Sequence, residues 1–337
     1  MDNRYDIWKQ EEYTYEAAYG FMPNIRAFLH RDSRKRECMI VVPGGGYCMC
    51  VPSEAGIIKD EFYYRGMNVF VLTYTTDITM SVPLKKQPLN DISRAVRFIR
   101  SRADEFNILS DRIVICGFSA GGHLCSLLAT HFAEIEDPDP AYREFSNRPD
   151  AAVLCYPVIT AGEYTHIYSI QALAGKEPSP SDIEFFSSEK NVTSDTTPCF
   201  IWQTREDSLV PVKNSYLMAE ALLQKGVPYA HYVFPNGDHG LSLPTENFFR
   251  ATEDFISGEF GDDYTMEQVK LAVDAVLSGN GVDVSEERRE ELRIQFSGEE
   301  QTPPAFDEDP SALVKKFADI AMWPRLLRIW LDGLFEG

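Results

Sequence analysis

Short apolar runs alternate with amphipathic segments along most of the chain. Seven runs have the length and composition of buried strands: 24–30, 37–42, 67–74, 112–116, 151–157, 199–204 and 230–234. Four stretches between them space apolar residues with a helical period: 53–65, 90–99, 124–132 and 212–225. This alternation predicts an α/β fold with a mostly parallel central sheet and helices on both of its faces.

The last quarter of the chain has a different pattern. Residues 265–277 and 285–296 have the spacing of two short helices, with Thr265 and Ser285 at their N-cap positions. An acidic connector that contains prolines follows them. Residues 318–335 then form an amphipathic stretch that predicts a closing helix.

Charge separates this region from the rest of the chain. The net charge of the 337 residues is −20, and residues 251–310 contain 17 Asp and Glu but 4 Lys and Arg. We predict one domain formed by 1–250 and 311–337, with 251–310 as an acidic helical insertion that packs on this domain or on a partner subunit. Nucleic acids and anionic membranes require basic patches, so neither is an expected partner. The sequence leaves open whether the protein forms a homo-oligomer.

Composition predicts a cytoplasmic protein without a metal site. There is no run of about 20 apolar residues as in a membrane span, and the start lacks a basic and then apolar signal. The seven cysteines are odd in number and are interpreted as reduced packing thiols. Cys48 and Cys50 are close together, but no second pair of Cys or His at ligand spacing accompanies them.

The strongest chemical signal is the pentapeptide Gly117-Phe118-Ser119-Ala120-Gly121 between a predicted strand and a predicted helix. In that context Gly-x-Ser-x-Gly indicates a sharp turn that exposes a nucleophilic serine. The two glycines let strand and helix approach closely. Ala120 opens the helix, so its unpaired N–H can face an oxyanion. A Gly- and Ser-rich turn without chemistry is the alternative.

A second turn rich in glycine follows the run 37–42, with the sequence Pro43-Gly44-Gly45-Gly46-Tyr47. It lacks the Gly-Lys-Ser/Thr of a phosphate loop and the Gly-x-Gly-x-x-Gly of a dinucleotide fingerprint. Its exposed N–H groups fit a second contributor to an oxyanion hole. A flexible turn is the alternative.

An acid and a base follow the last two predicted strands. Asp207 lies just beyond the run 199–204, and we prefer it to Glu206 because Ser-Leu-Val-Pro and a helix come next. A capping aspartate is the structural alternative. His239 lies in the turn after the run 230–234. Along the chain the nucleophile comes first, the acid second and the base third. This order is characteristic of one class of serine hydrolases.

At these residues the chain resembles the α/β-hydrolase esterases. Within them it is similar to acetyl esterases and acetylxylan-esterase-like proteins near the hormone-sensitive-lipase families. The matching stretches are 43–47, 117–123, 149–157, 207–215 and 239–243. They span about residues 37–245, and their combination is specific. The resemblance implies the α/β-hydrolase fold.

The resemblance also implies roles for particular residues. It implies a catalytic triad of Ser119, Asp207 and His239. It implies three oxyanion donors: Gly44, Gly45 and Ala120. Three neighbours of these motifs become candidate substrate contacts: Tyr47, Phe118 and His123. Pro43 stands where related lipases often carry a histidine, which leaves the pair of donor glycines open.

The implied activity is hydrolysis of short acyl esters, above all acetyl esters, of sugars or xylo-oligosaccharides, without any cofactor. The connection between the runs 151–157 and 199–204 is expected to cover the active site. Four of its side chains are candidate contacts, with simple packing as the preferred interpretation for any one of them: Tyr164, His166, Phe185 and Phe186.

Two other functions stay open. One is a serine peptidase of the prolyl-oligopeptidase kind, which shares the fold and the order of the triad. About 40 residues precede Gly44, too few for the propeller domain expected of that group. The other is a catalytically silent hydrolase-fold module that binds a partner through the acidic insertion.

Overall fold

The computed structural model describes residues 3–250, 266–296 and 308–336. Its centre is an eight-stranded sheet with the order β1-β2-β4-β3-β5-β6-β7-β8. The strands are β1 (Arg4–Asp6), β2 (Asn24–Phe28), β3 (Arg36–Val42), β4 (Asn68–Thr73), β5 (Ile108–Phe118), β6 (Ala151–Cys155), β7 (Cys199–Thr204) and β8 (Tyr229–Phe234). β2 is antiparallel to both of its neighbours, and the other pairs are parallel. The predicted mostly parallel sheet is confirmed.

Helices cover both faces of this sheet. They are α1 (Gly56–Tyr64), α2 (Gln87–Ser101), α3 (Ala120–His131), α4 (Pro140–Arg143), α5 (Ile167–Ala174), α6 (Pro180–Phe185), α7 (Lys213–Lys225), α8 (Glu267–Leu277), α9 (Glu286–Gln295), α10 (Pro310–Lys316) and α11 (Trp323–Glu336). Alternate side chains of a strand point to opposite faces. Ile40 and Val42 of β3 therefore join the core beneath α2, α3 and α7. Met39 and Val41 join the core beneath α1 and α11.

Several boundaries differ from the sequence prediction, among them the starts of β5 and α2. β5 begins at Ile108, four residues before the predicted start, and its pairing with β3 shifts register between Arg36 and Cys38. The polar residues Ser110 and Asp111 conceal this extension, because they break the apolar run. α2 begins at Gln87 rather than at 90, since Pro88 occupies its first turn, where a missing N–H costs nothing.

The described part of the insertion packs on loops of the main sheet. Val269, Val273 and Val276 of α8 form an apolar cluster with Ile78. The side-chain oxygen of Gln268 accepts hydrogen bonds of 3.0 Å from both the N–H and the hydroxyl of Thr76. The division of the chain into a domain and an insertion stays a prediction.

One of the two predicted N-cap residues of the insertion helices lies in the described part of the chain. Ser285 caps α9, as expected, because its hydroxyl oxygen accepts a 3.2 Å hydrogen bond from the N–H of Arg288. Thr265, the other predicted cap, lies outside the described residues, and so does most of the predicted connector 301–310. Within the described residues, no helix is both long enough and apolar enough to cross a bilayer.

The closing helix α11 anchors the loop that follows β8. Trp323 is fully buried, and its ring stacks on Trp202 with a centroid distance of 5.7 Å. Its indole Nε1 donates a 2.8 Å hydrogen bond to the carbonyl oxygen of Ser242. The predicted closing helix is therefore present. The first part of its predicted range instead contains a separate 3₁₀ turn, Ile320–Met322, which precedes α11.

Replacing Gly121 should strongly destabilise the fold. A Cβ atom at Gly121 would lie 2.1 Å from the carbonyl oxygen of Val42, a backbone atom that can move only with β3. We expect Gly121→Ala to lower the free energy of unfolding by about 3 kcal/mol, the upper end for overpacked cores. Chemical denaturation measures this change.

Gly333 provides the matched control. It is exposed on α11, and a Cβ atom there would meet nothing within 4 Å. Gly333→Ala should raise the free energy of unfolding by up to about 1 kcal/mol, because alanine favours a helix over glycine. Equal effects of the two substitutions would contradict the importance of close approach at Gly121.

Candidate active site

Ser119 occupies the turn between β5 and α3 with φ 53° and ψ −118°. A non-glycine residue in this region is strained and persists only where its surroundings enforce it. Here a Cβ atom at Gly117 would lie 2.1 Å from the carbonyl oxygen of Gly121, so strand and helix are in backbone contact. The Ser119 N–H also donates a 3.0 Å hydrogen bond to the carbonyl oxygen of Cys155. These contacts hold the serine in its strained conformation.

The structure brings Ser119, His239 and Asp207 together. His239 Nε2 lies 2.8 Å from Ser119 Oγ, and His239 Nδ1 lies 2.8 Å from Asp207 Oδ2. An ionised carboxylate can only accept, so Nδ1 carries the proton and donates to Asp207. Nε2 is then free to accept from the serine hydroxyl. Such an arrangement has the geometry in which a serine could act as nucleophile, a histidine as base and an acid as its orienting partner.

Several hydrogen bonds hold the side chain of Asp207 in place. Its Oδ1 accepts hydrogen bonds from the N–H groups of Leu209, at 3.1 Å, and Val210, at 2.8 Å. Its Oδ2 also accepts from Gln203 Nε2 at 3.1 Å. The side chain is fully buried, whereas Glu206 is exposed. The contact with His239 is therefore made by the residue preferred from the sequence.

Asp238 connects the loops that carry the acid and the base. Its Oδ1 accepts hydrogen bonds from the N–H of Ser208 at 2.9 Å and from the N–H of His239 at 2.8 Å. Sequence reasoning missed this residue. Its position in the turn Asn236-Gly237-Asp238, where aspartate often bonds to nearby backbone, was the available signal.

The three predicted oxyanion donors differ in the surroundings of their N–H groups. Ala120 is the first residue of α3, so its N–H has no acceptor within the helix. Gly45 adopts φ 119°, a conformation that requires glycine. The N–H of Gly44, however, donates a 2.6 Å hydrogen bond to Glu54 Oε2. The predicted use of Gly44 as an oxyanion donor is therefore corrected, because a buried carboxylate already takes its proton.

The three predicted substrate contacts, Tyr47, Phe118 and His123, lie in the core instead. All three are fully buried. The Tyr47 hydroxyl lies 2.8 Å from His123 Nδ1, and His123 Nε2 lies 2.8 Å from the carbonyl oxygen of Phe186. Phe118 packs on Trp323. The prediction of substrate contact is wrong because closeness to Ser119 along the chain does not determine the direction of a side chain.

The connection between β6 and β7 brings one of its four candidate side chains to the glycine loop. His166 Cε1 lies 3.9 Å from the position that a Cβ atom would take at Gly46. Burial, with a smaller effect of His239, lowers the pKa of His166. Phe186 belongs to the core, Phe185 packs on His131, and Tyr164 is at the surface.

Glu54 is the residue that sequence reasoning missed most clearly. It lies at the end of the 3₁₀ turn Pro52–Glu54 and is 4% exposed. Its Oε1 accepts a 2.7 Å hydrogen bond from the hydroxyl of Tyr156. The available signal was a single acid between Val51 and Ile58, in a segment otherwise free of charge.

The described residues contain no cluster of three or more His, Cys, Asp or Glu side chains placed to hold a metal ion. All seven cysteines are free thiols, and Cys48 is the least buried of them. The chemistry that the arrangement supports directly is nucleophilic attack by a serine with assistance from a base.

A serine, a histidine and an acid in this order, at the carboxyl edge of a mostly parallel sheet, define the α/β-hydrolase class. Within that class the chain belongs to the BD-FAE family, which matches residues 28–222.

Two curated relatives have names that refer to xylan. The chain is 56% identical over 273 residues to endo-1,4-beta-xylanase B of Butyrivibrio fibrisolvens, a match that covers 81% of the chain and 42% of the relative. It is 32% identical over 219 residues to the acetylxylan esterase of Xylanibacter ruminicola, covering 62% of the chain and 42% of the relative. The chain thus spans less than half the length of these relatives.

A solved structure agrees with the fold. The acetyl ester-xyloside bifunctional hydrolase from Caldicellulosiruptor lactoaceticus superposes with a TM-score of 0.68 at 37% identity, covering 77% of this chain and 97% of that one. The relatives thus include ester hydrolases, and the chain shares the α/β-hydrolase fold with them.

The buried His123 should make stability depend on pH. Burial lowers the pKa of His123 from 6.5 to about 4. The unfolded chain then binds more protons than the folded one between pH 6.5 and 4, so stability falls as pH drops through this range. At 1.36 kcal/mol per pH unit the loss is about 3 kcal/mol.

Urea denaturation at pH 7 and at pH 4 tests this with the variant His123→Gln, which cannot titrate. The variant should be less stable than the wild type at pH 7, because a buried hydrogen-bond network is altered. The difference in unfolding free energy between the two proteins should shrink at pH 4. A constant difference would show that His123 does not titrate as described.

Proposed function

We propose that this chain is a serine esterase that removes short acyl groups, above all acetyl, from sugars such as xylo-oligosaccharides. The observation that carries the proposal is the continuous hydrogen-bonded path from Ser119 Oγ through His239 to Asp207, with 2.8 Å at each step. The strained conformation of Ser119 supports it, because such strain concentrates at functional sites.

The geometry gives each residue a role in acyl transfer. His239 Nε2 takes the hydroxyl proton as Ser119 Oγ attacks the ester carbonyl. Asp207 orients the ring and stabilises the imidazolium that forms. The N–H groups of Ala120 and Gly45 are the proposed oxyanion donors, each worth about 3 kcal/mol of transition-state stabilisation.

The second half of the reaction restores the enzyme. The imidazolium of His239 gives its proton to the leaving alkoxide, so the alcohol departs and an acyl group stays on Ser119 Oγ. His239 then takes a proton from water, which attacks the acyl carbonyl. Collapse of the second tetrahedral intermediate returns this proton to Ser119 and releases the acid. The proposed mechanism uses no metal or organic cofactor.

The choice of a sugar ester rests on the relatives and on one cavity. The relatives include an acetylxylan esterase, a xylanase and an acetyl ester-xyloside hydrolase. A cavity of about 430 Å³ lies between α5 and the insertion. Its lining combines apolar side chains such as Met80, Val82 and Pro83 with one aromatic ring and with amide, hydroxyl and charged groups: Tyr168, Gln171, Asp283, Ser285, Arg288 and Glu291.

This lining offers both a ring for stacking and polar groups for hydrogen bonds, which a carbohydrate can use together. Tyr168 is 62% exposed, so its ring is available for stacking against a sugar face. The cavity is also connected to the proposed reaction site through one helix. His166, which precedes α5, lies beside the glycine loop, and Tyr168 lies two residues further along. We propose that this cavity binds the glycan part of the substrate.

The two alternative functions predict different results when esters and amides are offered as substrates. A peptidase of the prolyl-oligopeptidase kind would cleave acyl-peptide amides, and a binding module would turn over neither esters nor amides. The hydrogen-bonded Ser119, His239 and Asp207 favour an enzyme over the module.

Ser119→Ala should abolish hydrolysis of 4-nitrophenyl acetate. Loss of a triad nucleophile lowers kcat by about 10⁴-fold or more, because base and acid cannot act without it. The release of 4-nitrophenolate, measured against an acyl-peptide anilide in parallel, separates esterase from peptidase activity. Ser110→Ala, an exposed serine on β5 far from the edge that carries Ser119, is the matched control and should keep full activity. Turnover that survives in Ser119→Ala would contradict the proposal.

Tyr168→Ala should affect large substrates selectively. We expect KM for an acetylated xylo-oligosaccharide to rise about tenfold, since an aromatic contact is worth up to about 1.5 kcal/mol. KM for 4-nitrophenyl acetate should stay unchanged, because this ester is too small to reach the cavity.

Tyr64→Ala serves as the control for this measurement. Tyr64 is 81% exposed at the end of α1, outside the cavity lining. The control should leave both KM values at their wild-type levels. Identical KM values for Tyr168→Ala and the wild type on the oligosaccharide would remove the cavity from the substrate site.

A further inference from the structure

Glu54 is a buried acid that the proposed mechanism does not use. It is 4% exposed and lies between the glycine loop and the end of β6. Burial raises the pKa of the Glu54 carboxyl, whereas hydrogen bonds from Tyr156 and Gly44 and the charge of His239 act in the opposite direction. A buried carboxylate is costly unless it is bonded in this way.

Two segments that are far apart in sequence meet at this carboxylate. The N–H of Gly44 donates to Oε2 at 2.6 Å, and the hydroxyl of Tyr156 donates to Oε1 at 2.7 Å. Burial raises the pKa of Tyr156 well above its ordinary value, so its hydroxyl stays protonated and donates. Glu54 therefore ties the glycine loop to the end of β6.

Each of these contacts leads directly to a reacting group. Gly44 lies so close to the nucleophile that a Cβ atom there would be 2.8 Å from Ser119 Cβ. The Tyr156 ring packs edge to face with the His239 ring, with centroids 4.9 Å apart and an interplanar angle of 71°. Tyr156 holds this position with φ 36°, a strained value for a tyrosine. A displacement of Glu54 would thus reach both the serine and the histidine.

The charge of Glu54 also acts on His239. The titratable groups that face His239 are Asp207 on the loop after β7, Asp238 in the same turn as His239, His166 before α5, Tyr156, and Glu54. Two further groups face Glu54 itself, Cys50 and Tyr74, and burial raises the pKa of each, so both are neutral. Glu54 is therefore a second buried carboxylate, besides Asp207, that favours the protonated imidazole.

We propose that Glu54 is a positioning residue of the esterase site. Its carboxylate holds Gly44 and Tyr156 against Ser119 and His239, and its negative charge stabilises the imidazolium that forms when Ser119 attacks. The proposal rests on the proposed function for its catalytic consequence. Its electrostatic part concerns His239 directly and does not depend on which substrate is used.

Glu54→Gln isolates the charge. A glutamine has the same shape, its amide oxygen can accept from Gly44, and its amide N–H₂ can donate to the Tyr156 oxygen. NMR titration of imidazole signals, with His239 assigned through His239→Asn, should show the His239 midpoint at lower pH in the variant than in the wild type, because a negative charge near the imidazolium is removed. The matched control is Asp150→Asn, a partly buried carboxylate that precedes β6 at the opposite edge of the sheet. This control should leave the midpoint in place.

Kinetics on 4-nitrophenyl acetate test the catalytic consequence. In Glu54→Gln we expect kcat to fall about tenfold with KM unchanged, because Glu54 stabilises the imidazolium without touching the substrate. The acid limb of the kcat/KM profile should move to lower pH together with the NMR midpoint. Tyr156→Phe keeps the ring but removes a hydrogen bond that lowers the pKa of Glu54, so it should lower kcat and move the acid limb in the same direction as Glu54→Gln.

A folded Glu54→Gln with wild-type midpoint and wild-type kcat would overturn the proposal. If Glu54→Gln does not fold, Glu54→Asp replaces it, since a shorter carboxylate keeps the charge but cannot reach both donors. Wild-type kcat in Glu54→Asp would then overturn the positioning role. If the wild type shows no turnover that depends on Ser119, the esterase proposal fails, whereas the NMR titration still decides the effect of Glu54 on His239.

Discussion

The backbone contact between β5 and α3 is the constraint on which the rest of the site depends. Neither Gly117 nor Gly121 has space for a Cβ atom, which would lie 2.1 Å from the carbonyl oxygen of Gly121 in the first case and of Val42 in the second. This close approach forces Ser119 into its strained conformation. Because Val42 ends β3, the same contact also places the glycine loop that follows β3 beside the serine.

The parallel sheet brings the remaining groups to the same edge. Asp207 follows β7 and His239 follows β8, and the carboxyl ends of parallel strands lie side by side. The order of the strands does not by itself determine the conformations of these loops. Hydrogen bonds determine them. Asp238 joins the two loops, while Trp323 of α11 holds the segment after His239 through Ser242. The histidine is thereby presented to both of its partners.

Buried charge explains why the glycine loop differs from the simplest expectation. The sequence suggested that Gly44 and Gly45 donate together to an oxyanion, but the N–H of Gly44 is bonded to Glu54. A carboxylate that is removed from water needs donors, and the loop supplies one of them. The hydrogen bond to Glu54 makes the Gly44 N–H unavailable to an oxyanion, but it fixes the position of the glycine loop. Gly45 and Ala120 therefore remain as the donors in the proposed mechanism.

The sequence by itself determined the alternation of strands and helices and the positions of Ser119, Asp207 and His239, because these depend on local periodicity and on residues placed directly after strands. Only the tertiary structure decided the direction of Tyr47, Phe118 and His123, which point into the core. It also decided the role of Glu54, whose partner Tyr156 lies 102 residues further along the chain. Such contacts leave no local pattern, since they arise where segments distant in sequence meet and a buried polar group must find its partner.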